Sequence, residues 1–483
     1  LDIALDLVLG LFLLLVLIRG GNTDFAMNVA VVLAVVLTTI GAPHFIFRAR
    51  HGRHPTLPAL LIVIALLSVL IMGVIALQPL TVDSWLRLPG RAAYAPITSL
   101  LTRPEFAFAQ LTLSIDPVGT KRAIVAVLPC IAIAAVTAVL TRQSLMWVLG
   151  AFAVLATGEA LMGLAQLGSR GAAQFVIEYA GHTRASGTFV NKNHYATLLA
   201  MALPILVFRS AGLFSFFFGR GRPAPLSNAL WGIATATVAA ALVASLSRAG
   251  VLAGGIVASI AVAACTLRPE VRTRRRLIIA GLLVLVAVVL AAMVGLGQLV
   301  RSFAQEAFGG GASSRTVMNA HTWTGIVAFF PLGAGLGSYA IAFQRFQTPA
   351  LTGFVEYAHN DYLQLIFETG VFGVAILALL AAAAWLAARP LWREIRATGR
   401  LSPAVASFLG ATAFAIHAAF DFPAHIPALA FIATFLFSAS TNRSLAEVGT
   451  RKVVSNPRTV HSRRSHLQTP SGAQSPKMSS TAI

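Results

Sequence analysis

The sequence predicts an all-α, polytopic integral membrane protein with about 12 transmembrane helices. Of its 483 residues, 57% are hydrophobic and only 11% are charged, whereas soluble domains carry about 25% charged residues. Apolar runs of roughly 20 residues, the length that a helix needs to cross the hydrocarbon core of a bilayer, recur along the whole chain. Together these observations exclude a soluble domain as the main body of the chain.

The apolar runs set the predicted spans, and two of the connections between them are long. These connections cover about residues 79–122 and 298–360, and the second leads directly into the tenth span. Connections of this length are usually functional or disordered. The predicted spans are residues 3–18, 25–47, 56–78, 123–140, 145–167, 193–210, 229–246, 249–267, 277–297, 361–388, 404–420 and 427–440.

Arginines in the short connections predict the orientation of the chain. With the N-terminus inside, the arginines at 48–53 and 268–276, together with Arg142 and Arg209, fall on the inner side, as the positive-inside rule requires. Both long connections then lie outside. The net charge of +20 is therefore interpreted as topology-setting loop charge and not as a nucleic-acid surface. The tail 441–483, rich in Ser, Thr and Pro, is predicted to be disordered and to lie near anionic lipid.

His359 is the candidate general base. It ends the second long connection immediately before an apolar helix, so we expect it at the outer lipid–water boundary. The ordinary pKa of a histidine, about 6.5, suits a base near neutral pH. Glu356 or Asp361 is expected to orient its ring, and Asn360 or Asp361 to cap the following helix. Tyr362 is expected either to bond a substrate or to serve as an interface aromatic.

Three outer arginines predict an anion site beside this histidine. Arg248 lies in the tight turn 247–250 between two spans, where a guanidinium fits phosphate oxygens or reaches lipid headgroups. Arg315 follows the triple glycine at 309–311, and Arg184 precedes the sixth span. The anion expected is a lipid-linked phosphate or pyrophosphate, because the sequence has no P-loop and no Asp-x-Asp pair that would suggest a divalent metal. Neither metal nor cofactor is expected, and protein cations would stabilise the leaving pyrophosphate.

The segment 191–194 adds polar groups to this predicted site. Lys192 is a further cation, and Asn191 and Asn193 are candidates for bonding sugar hydroxyls. Asn193 is an equally good candidate for the cap of the following helix.

A few polar residues fall inside or beside predicted spans, and they keep a transporter open as an alternative. Such groups usually face the bundle interior or a water-filled cavity. Two of them, Glu159 and Glu368, are candidates for a proton path. The full set is Glu159, Gln166, Glu368, His417 and Asp421.

Together these segments resemble the O-antigen ligase family, which includes lipopolysaccharide O-antigen ligases, O-antigen polymerases and protein O-oligosaccharyltransferases. The core of the resemblance spans about 229–388, with weaker likeness from residue 180 onward. It rests on Ser-Arg-Ala-Gly at 247–250, on Ser314-Arg315 and Trp323 with Pro-Leu-Gly-Ala-Gly-Leu-Gly at 331–337, on His-Asn-Asp-Tyr-Leu-Gln at 359–364, and on Glu-Thr-Gly-Val-Phe-Gly at 368–373.

The resemblance implies a membrane glycosyltransferase of the GT-C type that uses neither metal nor nucleotide sugar. The donor would be a glycan on undecaprenyl pyrophosphate at the periplasmic face of the bacterial inner (cytoplasmic) membrane. His359 would activate an acceptor hydroxyl, which would attack the anomeric carbon with inversion. Arg248 and Arg315 would bind the pyrophosphate, and the residues proposed to complete the substrate site are Arg184, Asn191, Lys192, Asn193, Asp361 and Tyr362.

On this interpretation the chain divides into four parts. These are an N-terminal transmembrane region (1–228), a ligase-like core with the periplasmic loop 298–360 (229–388), C-terminal transmembrane helices (389–440) and the basic cytoplasmic tail (441–483).

The acceptor is not identified by any residue. A ligase would use lipid A–core, a polymerase a growing polysaccharide, and an oligosaccharyltransferase a protein serine or threonine. Ligation or polymerisation is favoured, because no additional outer domain suited to a protein acceptor is apparent in the sequence. The expected partners are the lipid-linked donor, one of these acceptors and membrane lipids, with no nucleic acid. The alternative of another class is a lipid-linked glycan flippase or proton-coupled transporter.

Overall fold

The computed structural model describes residues 2–50, 54–98, 111–168, 184–217, 226–266 and 314–446. Within these ranges the chain is all-α apart from one pair of two-residue strands, which confirms the predicted fold class. Eight of the described helices are long and apolar enough to cross a membrane, so the predicted number of about 12 is not confirmed. The predicted ninth span (277–297), the arginines at 268–276 and nearly all of the basic tail lie outside the described residues.

The helices follow one another closely through the described part of the chain. Those of spanning length are α2, α3, α6, α7, α8, α9, α10 and α14, and α15 and α16 are shorter apolar helices. In chain order the helices are α1 (Asp2–Leu14), α2 (Asp24–Arg50), α3 (Leu57–Ala76), α4 (Val82–Leu86), α5 (Ala95–Thr98), α6 (Pro117–Thr137), α7 (Arg142–Gly168), α8 (Lys192–Phe217), α9 (Leu226–Ala244), α10 (Arg248–Thr266), α11 (Ser314–Phe329), α12 (Tyr339–Ala342), α13 (Asp361–Thr369), α14 (Val371–Thr398), α15 (Pro403–Ala418), α16 (Pro427–Ser440) and α17 (Arg443–Ala446).

Local sequence sets several helix ends. Thr56 and Ser402 accept hydrogen bonds from the first turns of α3 and α15, and in both helices a proline follows in the first turn. Asp116 caps α6 by accepting from two backbone N–H groups. These side chains satisfy N–H groups that have no partner inside the helix. Gly399 ends α14 in the left-handed region, with a φ of 55°.

Helix α8 is the centre of the bundle. In its most apolar stretch 83% of the residues are buried, against 22–44% in the other seven helices of spanning length. It packs against α7, α9, α10 and α15. Alanines on α8 such as Ala196 and Ala200 allow close approach, and they contact the positions of Gly250 and Gly254 on α10. Because α8 packs against four other helices, the polar residues in its first turn have fixed positions.

The predicted tenth span, 361–388, is wrong as a single helix. Helix α13 ends at Thr369, Gly370 has a φ of 59°, and α14 begins at Val371. Val371 N donates to the carbonyl of Pro331 over 2.9 Å, which brings that carbonyl so close that a Cβ on Gly370 would overlap it. Only glycine readily adopts this positive φ and also leaves room for the Pro331 carbonyl. Helix α13 is therefore a separate nine-residue helix and not the start of a span.

The second long connection is folded where the structure describes it, from residue 314 onward. It contains α11, α12 and a 3-10 turn at Phe343–Phe346, and these pack around an aromatic core shared with α13. Phe329 meets Phe367 edge to face with ring centroids 5.5 Å apart, and Tyr339 stacks on Phe343 at 4.9 Å. Such contacts add to the burial of apolar area. They give α13, and the residues just before it, a rigid support.

Arg91 joins the two long connections. Its side chain is 1% exposed, and Nη2 donates to the carbonyls of Leu113 (2.8 Å) and Gly333 (3.0 Å). Its guanidinium also lies 5.0 Å from the ring centroid of Phe329. Burial lowers the pKa of Arg91 to about 10, so it remains charged at neutral pH. Close to it, β1 (Pro79–Leu80) pairs antiparallel with β2 (Leu111–Thr112) in the register Pro79↔Thr112 and Leu80↔Leu111.

The short connections meet in two groups, one at each end of the bundle. At the end predicted to be inner, Thr56 Oγ1 donates to Thr441 O over 3.1 Å, and Asn442 Nδ2 donates to Thr137 O over 2.8 Å. At the other end lie the connections that carry the candidate site residues, and hydrogen bonds join residues 184–193, 244–246, 359 and 421 there. If successive spanning helices run in opposite directions through the membrane, their connections must alternate between the two ends in this way.

We expect Arg91→Met to destabilise the fold, because methionine keeps the packing on Phe329 but leaves buried carbonyls without their charged donor. The expected loss is about 2 to 3 kcal/mol in the free energy of unfolding, measured as a lower midpoint in thermal unfolding of the purified protein in detergent. Arg87→Met is the matched control, since the Arg87 and Asp83 side chains are each 78% exposed and pair only at the surface. An equal effect of both substitutions would contradict the role given to Arg91.

Candidate active site

A buried carboxylate, Asp421, organises the candidate site. It lies in the connection between α15 and α16 and is fully buried. Its Oδ1 lies 3.0 Å from Nδ1 of His359, while its Oδ2 accepts from Nδ2 of Asn193 (2.5 Å) and Nη2 of Arg315 (3.3 Å). Phe422 N also donates to Oδ1 over 3.0 Å. One carboxylate thus connects α8, α11, the residue pair before α13 and the α15–α16 connection.

The surroundings of Asp421 keep it ionised. Burial by itself raises the pKa of a carboxyl group, but the hydrogen bond and electrostatic interaction with His359, together with the charge of Arg315, more than offset this effect. The net result is a pKa well below the usual range of an aspartate. A permanent negative charge therefore lies against the imidazole of His359.

The backbone and two contacts fix the orientation of His359. The residue has a φ of 51°, in the left-handed region that non-glycine residues rarely adopt. Asn360 follows as the N-cap of α13, with Oδ1 accepting from Tyr362 N and Leu363 N at 3.1 Å each. The ring of His359 meets Phe422 edge to face at 4.8 Å. Since Nδ1 faces Asp421, Nε2 is the nitrogen available for proton transfer.

Asp421 and not Glu356 or Asp361 orients this ring, so that part of the sequence-based expectation is wrong. Asp361 is itself buried, and its Oδ1 lies 2.8 Å from Nδ1 of His425. Its Oδ2 accepts from Ala424 N over 2.9 Å. Burial raises the pKa of Asp361, an effect opposed by its hydrogen bond with His425. Asp361 thus pairs with a second histidine, at the other end of the same connection.

This second pair continues into a network that supports α13. Nε2 of His425 lies 3.0 Å from Nε2 of Gln364. The same Gln364 nitrogen donates to Oε1 of Glu368 over 3.1 Å. Glu368 in turn accepts from the backbone N–H groups of Gly337 (2.7 Å) and Tyr339 (3.3 Å). Burial raises the pKa of Glu368. The carboxylate predicted for a proton path therefore bonds the glycine-rich 331–337 segment to α13.

Four cations lie near one another at this end of the bundle. Lys192 is within electrostatic range of Arg184, Arg248 and Arg315. Its Nζ donates to Leu246 O over 2.7 Å, which joins the start of α8 to the turn before Arg248. Arg248 is the first residue of α10, and Arg315 is the second residue of α11. The structure therefore brings together the cations that the sequence distributes over more than a hundred residues.

The asparagines beside Lys192 have protein partners. Asn191 Oδ1 accepts from Asn193 N over 2.8 Å, which closes a local turn before α8. Asn193 is the second residue of α8, so Asn191 and not Asn193 makes the capping bond. The Nδ2 of Asn193 donates to Asp421 instead. Tyr362, predicted at the substrate or the interface, donates from its hydroxyl to Ala415 O over 2.6 Å.

Glu159 and Gln166, on α7, hold the segment that carries Arg184. Glu159 accepts from Thr188 N (2.9 Å) and Thr188 Oγ1 (2.7 Å), and Gln166 bonds the backbone of Gly187 in both directions. A Cβ on Gly187 would overlap the Glu159 carboxylate. These polar groups in α7 thus position a loop.

A cavity of about 470 Å³ opens beside the Asp421 cluster. Arg184, Lys192, His194 and Phe422 are among the residues that line it. Within the described ranges, no group of three or more His, Cys, Asp or Glu side chains is placed to hold a metal ion. The arrangement combines an oriented imidazole, a fixed negative charge behind it and several cations beside it, which suits proton abstraction next to a bound anion.

Comparison with known protein families gives a match for part of the chain. Residues 233–378 match a family model described as O-antigen ligase. This part of the chain belongs to the O-antigen ligase family. The resemblance stated from the sequence is thereby confirmed. No curated protein matches the chain.

The matched family suggests glycan transfer in lipopolysaccharide or polysaccharide synthesis, and the match together with the apolar helices indicates a multi-pass membrane protein. The O-antigen ligase match contains Arg248, Arg315 and His359. It does not contain Asn193 or Asp421, which complete the cluster in the structure. Sequence reasoning missed the role of Asp421, although a carboxylate at the end of an apolar run was the signal that could have shown it.

The hydrogen bond of Tyr362 leads to a prediction about its role. We expect Tyr362→Phe to lower the free energy of unfolding by about 1 kcal/mol, because it removes the bond to Ala415 O, and to leave substrate binding unchanged. Thermal unfolding and donor-binding measurements on the purified variant would check both parts. Loss of donor binding without loss of stability would instead place the hydroxyl on the substrate.

Proposed function

We propose that this protein transfers a glycan from undecaprenyl pyrophosphate to an acceptor hydroxyl, without a metal ion. The acceptor is lipid A–core in a ligation or a growing polysaccharide in a polymerisation. The observation that carries the proposal is the contact of His359 Nδ1 with the buried carboxylate of Asp421, 3.0 Å away, beside a cluster of cations. The O-antigen ligase match supports the reaction class.

His359 acts as the general base in this proposal. Its Nε2 takes the proton of the acceptor hydroxyl while the hydroxyl oxygen attacks the anomeric carbon of the donor. Asp421 stabilises the imidazolium that forms, because its charge is fixed in contact with Nδ1. A base held in one tautomer and one orientation is effective because no reorganisation is needed during the reaction.

The cations stabilise the group that leaves. As the new C–O bond forms, the bond between the anomeric carbon and the pyrophosphate oxygen breaks, and its electron pair stays on undecaprenyl pyrophosphate. Arg248, Arg315 and Lys192 offset the charge that develops there. Attack in line with the leaving oxygen inverts the anomeric centre. Arg315 is 31% exposed, so it can contact a donor while it remains close to Asp421.

The proposed location is the bacterial inner membrane, with the site at the periplasmic face. Support comes from the arginine-rich short connections on the opposite side of the predicted topology. It also comes from the position of the site at the ends of membrane-spanning helices, where a polyprenyl chain can remain in lipid while its headgroup enters the site.

A lipid-linked glycan flippase or proton-coupled transporter is the alternative of another class. The two buried carboxylates that are candidates for a proton path, Glu159 and Glu368, both accept hydrogen bonds from backbone N–H groups. Both therefore have structural partners that do not require proton transport. Catalysis by the purified chain in detergent, where no gradient exists, separates the two functions.

The first prediction from this proposal concerns the base. Purified protein in detergent should transfer glycan from an undecaprenyl pyrophosphate donor, and His359→Ala should abolish transfer. Asp421→Asn should lower the rate by about 100-fold or more, because the imidazolium loses its counter-charge. The same variants should fail to restore lipopolysaccharide ladders in a ligase-deficient Gram-negative strain, if ligation is the reaction.

Controls for this experiment are His54→Ala, at the opposite end of the bundle, and Asp83→Asn, which is exposed. Both should transfer glycan at the normal rate. A fully active His359→Ala protein would remove the base assignment, and absence of transfer by folded wild-type protein with both substrate classes would favour transport.

The second prediction concerns Arg248. Arg248→Ala should weaken donor binding, and Arg248→Lys should restore it only in part, because an ammonium cannot bond two phosphate oxygens with a planar fork. The measurement is the affinity for the pyrophosphate donor, with Arg87→Lys as a matched control. Complete recovery with lysine would show that charge alone suffices there.

A further inference from the structure

The cavity beside the Asp421 cluster is positively charged through residues from two separate parts of the chain. Arg19 enters it from the connection between α1 and α2, and Arg184 and Lys192 enter it from the segment before α8. One acid, Glu356, also lines it. Its volume of about 470 Å³ falls within the range of known ligand pockets, about 300 to 1,000 Å³. Arg19 lies far outside the matched segment 233–378 and had no part in the sequence-based site.

The backbone at Arg19 is held in an unusual conformation. Arg19 has a φ of 51°, and the two glycines after it continue in the left-handed region with φ values of 69° and 76°. For a residue other than glycine this conformation is strained. Such conformations persist where the surrounding structure fixes them, and they concentrate at functional sites.

The two segments that carry the cations are attached to each other. A Cβ on Gly20 would lie only 2.7 Å from the ring of Phe189, so the turn after Arg19 packs directly on the segment of Arg184. Thr188 Oγ1 also lies 3.1 Å from Val16 O, and its hydroxyl donates to Glu159 on α7. The two backbone segments that carry Arg19 and Arg184 are therefore packed together, and both side chains line the same cavity.

Aromatic rings form another wall of the cavity and lead towards the base. Tyr357 stacks on Phe422 with ring centroids 4.2 Å apart and planes 13° apart. Phe422 then meets the rings of His194 (4.7 Å) and His359 (4.8 Å) edge to face. Aromatic faces pack well against the apolar C–H face of a sugar ring, and the side-chain amides of Asn22 and Asn191, which also line the cavity, suit its hydroxyls.

The combination selects one class of ligand. A neutral sugar would leave the excess of Arg19, Arg184 and Lys192 over Glu356 without a counter-charge. A bare pyrophosphate would make no use of the aromatic wall. We infer that this cavity is a subsite for a sugar residue that carries a carboxylate or phosphate group, with Arg19 and Arg184 contacting the anion and Tyr357 contacting the ring. This inference rests on the proposed glycan transfer, since it makes the subsite part of a glycan substrate that reaches His359.

Binding of two matched disaccharides tests the subsite. Cellobiose and cellobiouronic acid differ by a carboxylate, and their affinities for the full chain in nanodiscs can be measured by saturation-transfer NMR. We expect wild-type protein to prefer the acidic sugar by about tenfold or more, the effect of one charge-assisted contact. Arg19→Gln should remove most of this preference, and Arg87→Gln, at the same end of the bundle but outside the cavity, should keep it.

Each other outcome overturns the inference. Equal affinity for both sugars in the wild type, or an unchanged preference in Arg19→Gln, would exclude the anion contact. Inorganic phosphate that binds as tightly as cellobiouronic acid, with no effect of Tyr357→Leu on the sugar, would reduce the cavity to a simple anion site. Should Arg19→Gln fail to fold, Arg184→Gln makes the same test from the other segment.

Repeating the binding series in a His359→Ala background separates this inference from the proposed function. Binding that is retained there, together with absent transfer in the wild type, would overturn glycan transfer alone. Transfer by the wild type without any preference for the acidic sugar would overturn the subsite alone.

Discussion

The ionised, fully buried carboxylate of Asp421 is the constraint on which the site depends. A buried charge is tolerated only when it is paired and hydrogen-bonded, and here the required partners are supplied by His359, Arg315 and Asn193. Each partner begins or precedes a different helix. The need to compensate one charge therefore fixes the relative positions of α8, α11 and α13 at the end of the bundle.

The fold class follows from the sequence because a bilayer allows few solutions. Apolar runs of spanning length have to be helical, since each backbone group must find its partner inside the segment. The break in the predicted tenth span was not visible in the same way. The run 361–388 is continuously compatible with a helix, and what divides it is the carbonyl of Pro331, which approaches Gly370 from about forty residues earlier in the chain.

The candidate base and cations could be predicted from the sequence because ionisable residues are uncommon in and beside the apolar helices. A histidine at the end of a helix, and arginines on the side where the positive-inside rule does not expect them, are visible without tertiary information. The partner of His359 could not be found in this way. Asp361 lies two residues away and Asp421 lies 62 residues away, yet the nearer carboxylate turns towards His425. Proximity in sequence was a poor guide because both oxygens of Asp361 are already bonded, one to His425 and the other to Ala424 N.

The contact between Asn193 and Asp421 spans 228 residues of sequence, and it has an evolutionary consequence. An apolar replacement of Asp421 would leave the side chains of His359, Arg315 and Asn193 without this partner at once, whereas changes at Asn193 alone would leave the ion contacts in place. Substitutions at the two positions therefore have unequal consequences. Asn193 can be replaced by another residue that Asp421 accepts as a partner, but Asp421 can be replaced only if residues on several helices change with it. The segments before and after the matched block 233–378 are thus expected to evolve in concert with it and not as independent additions.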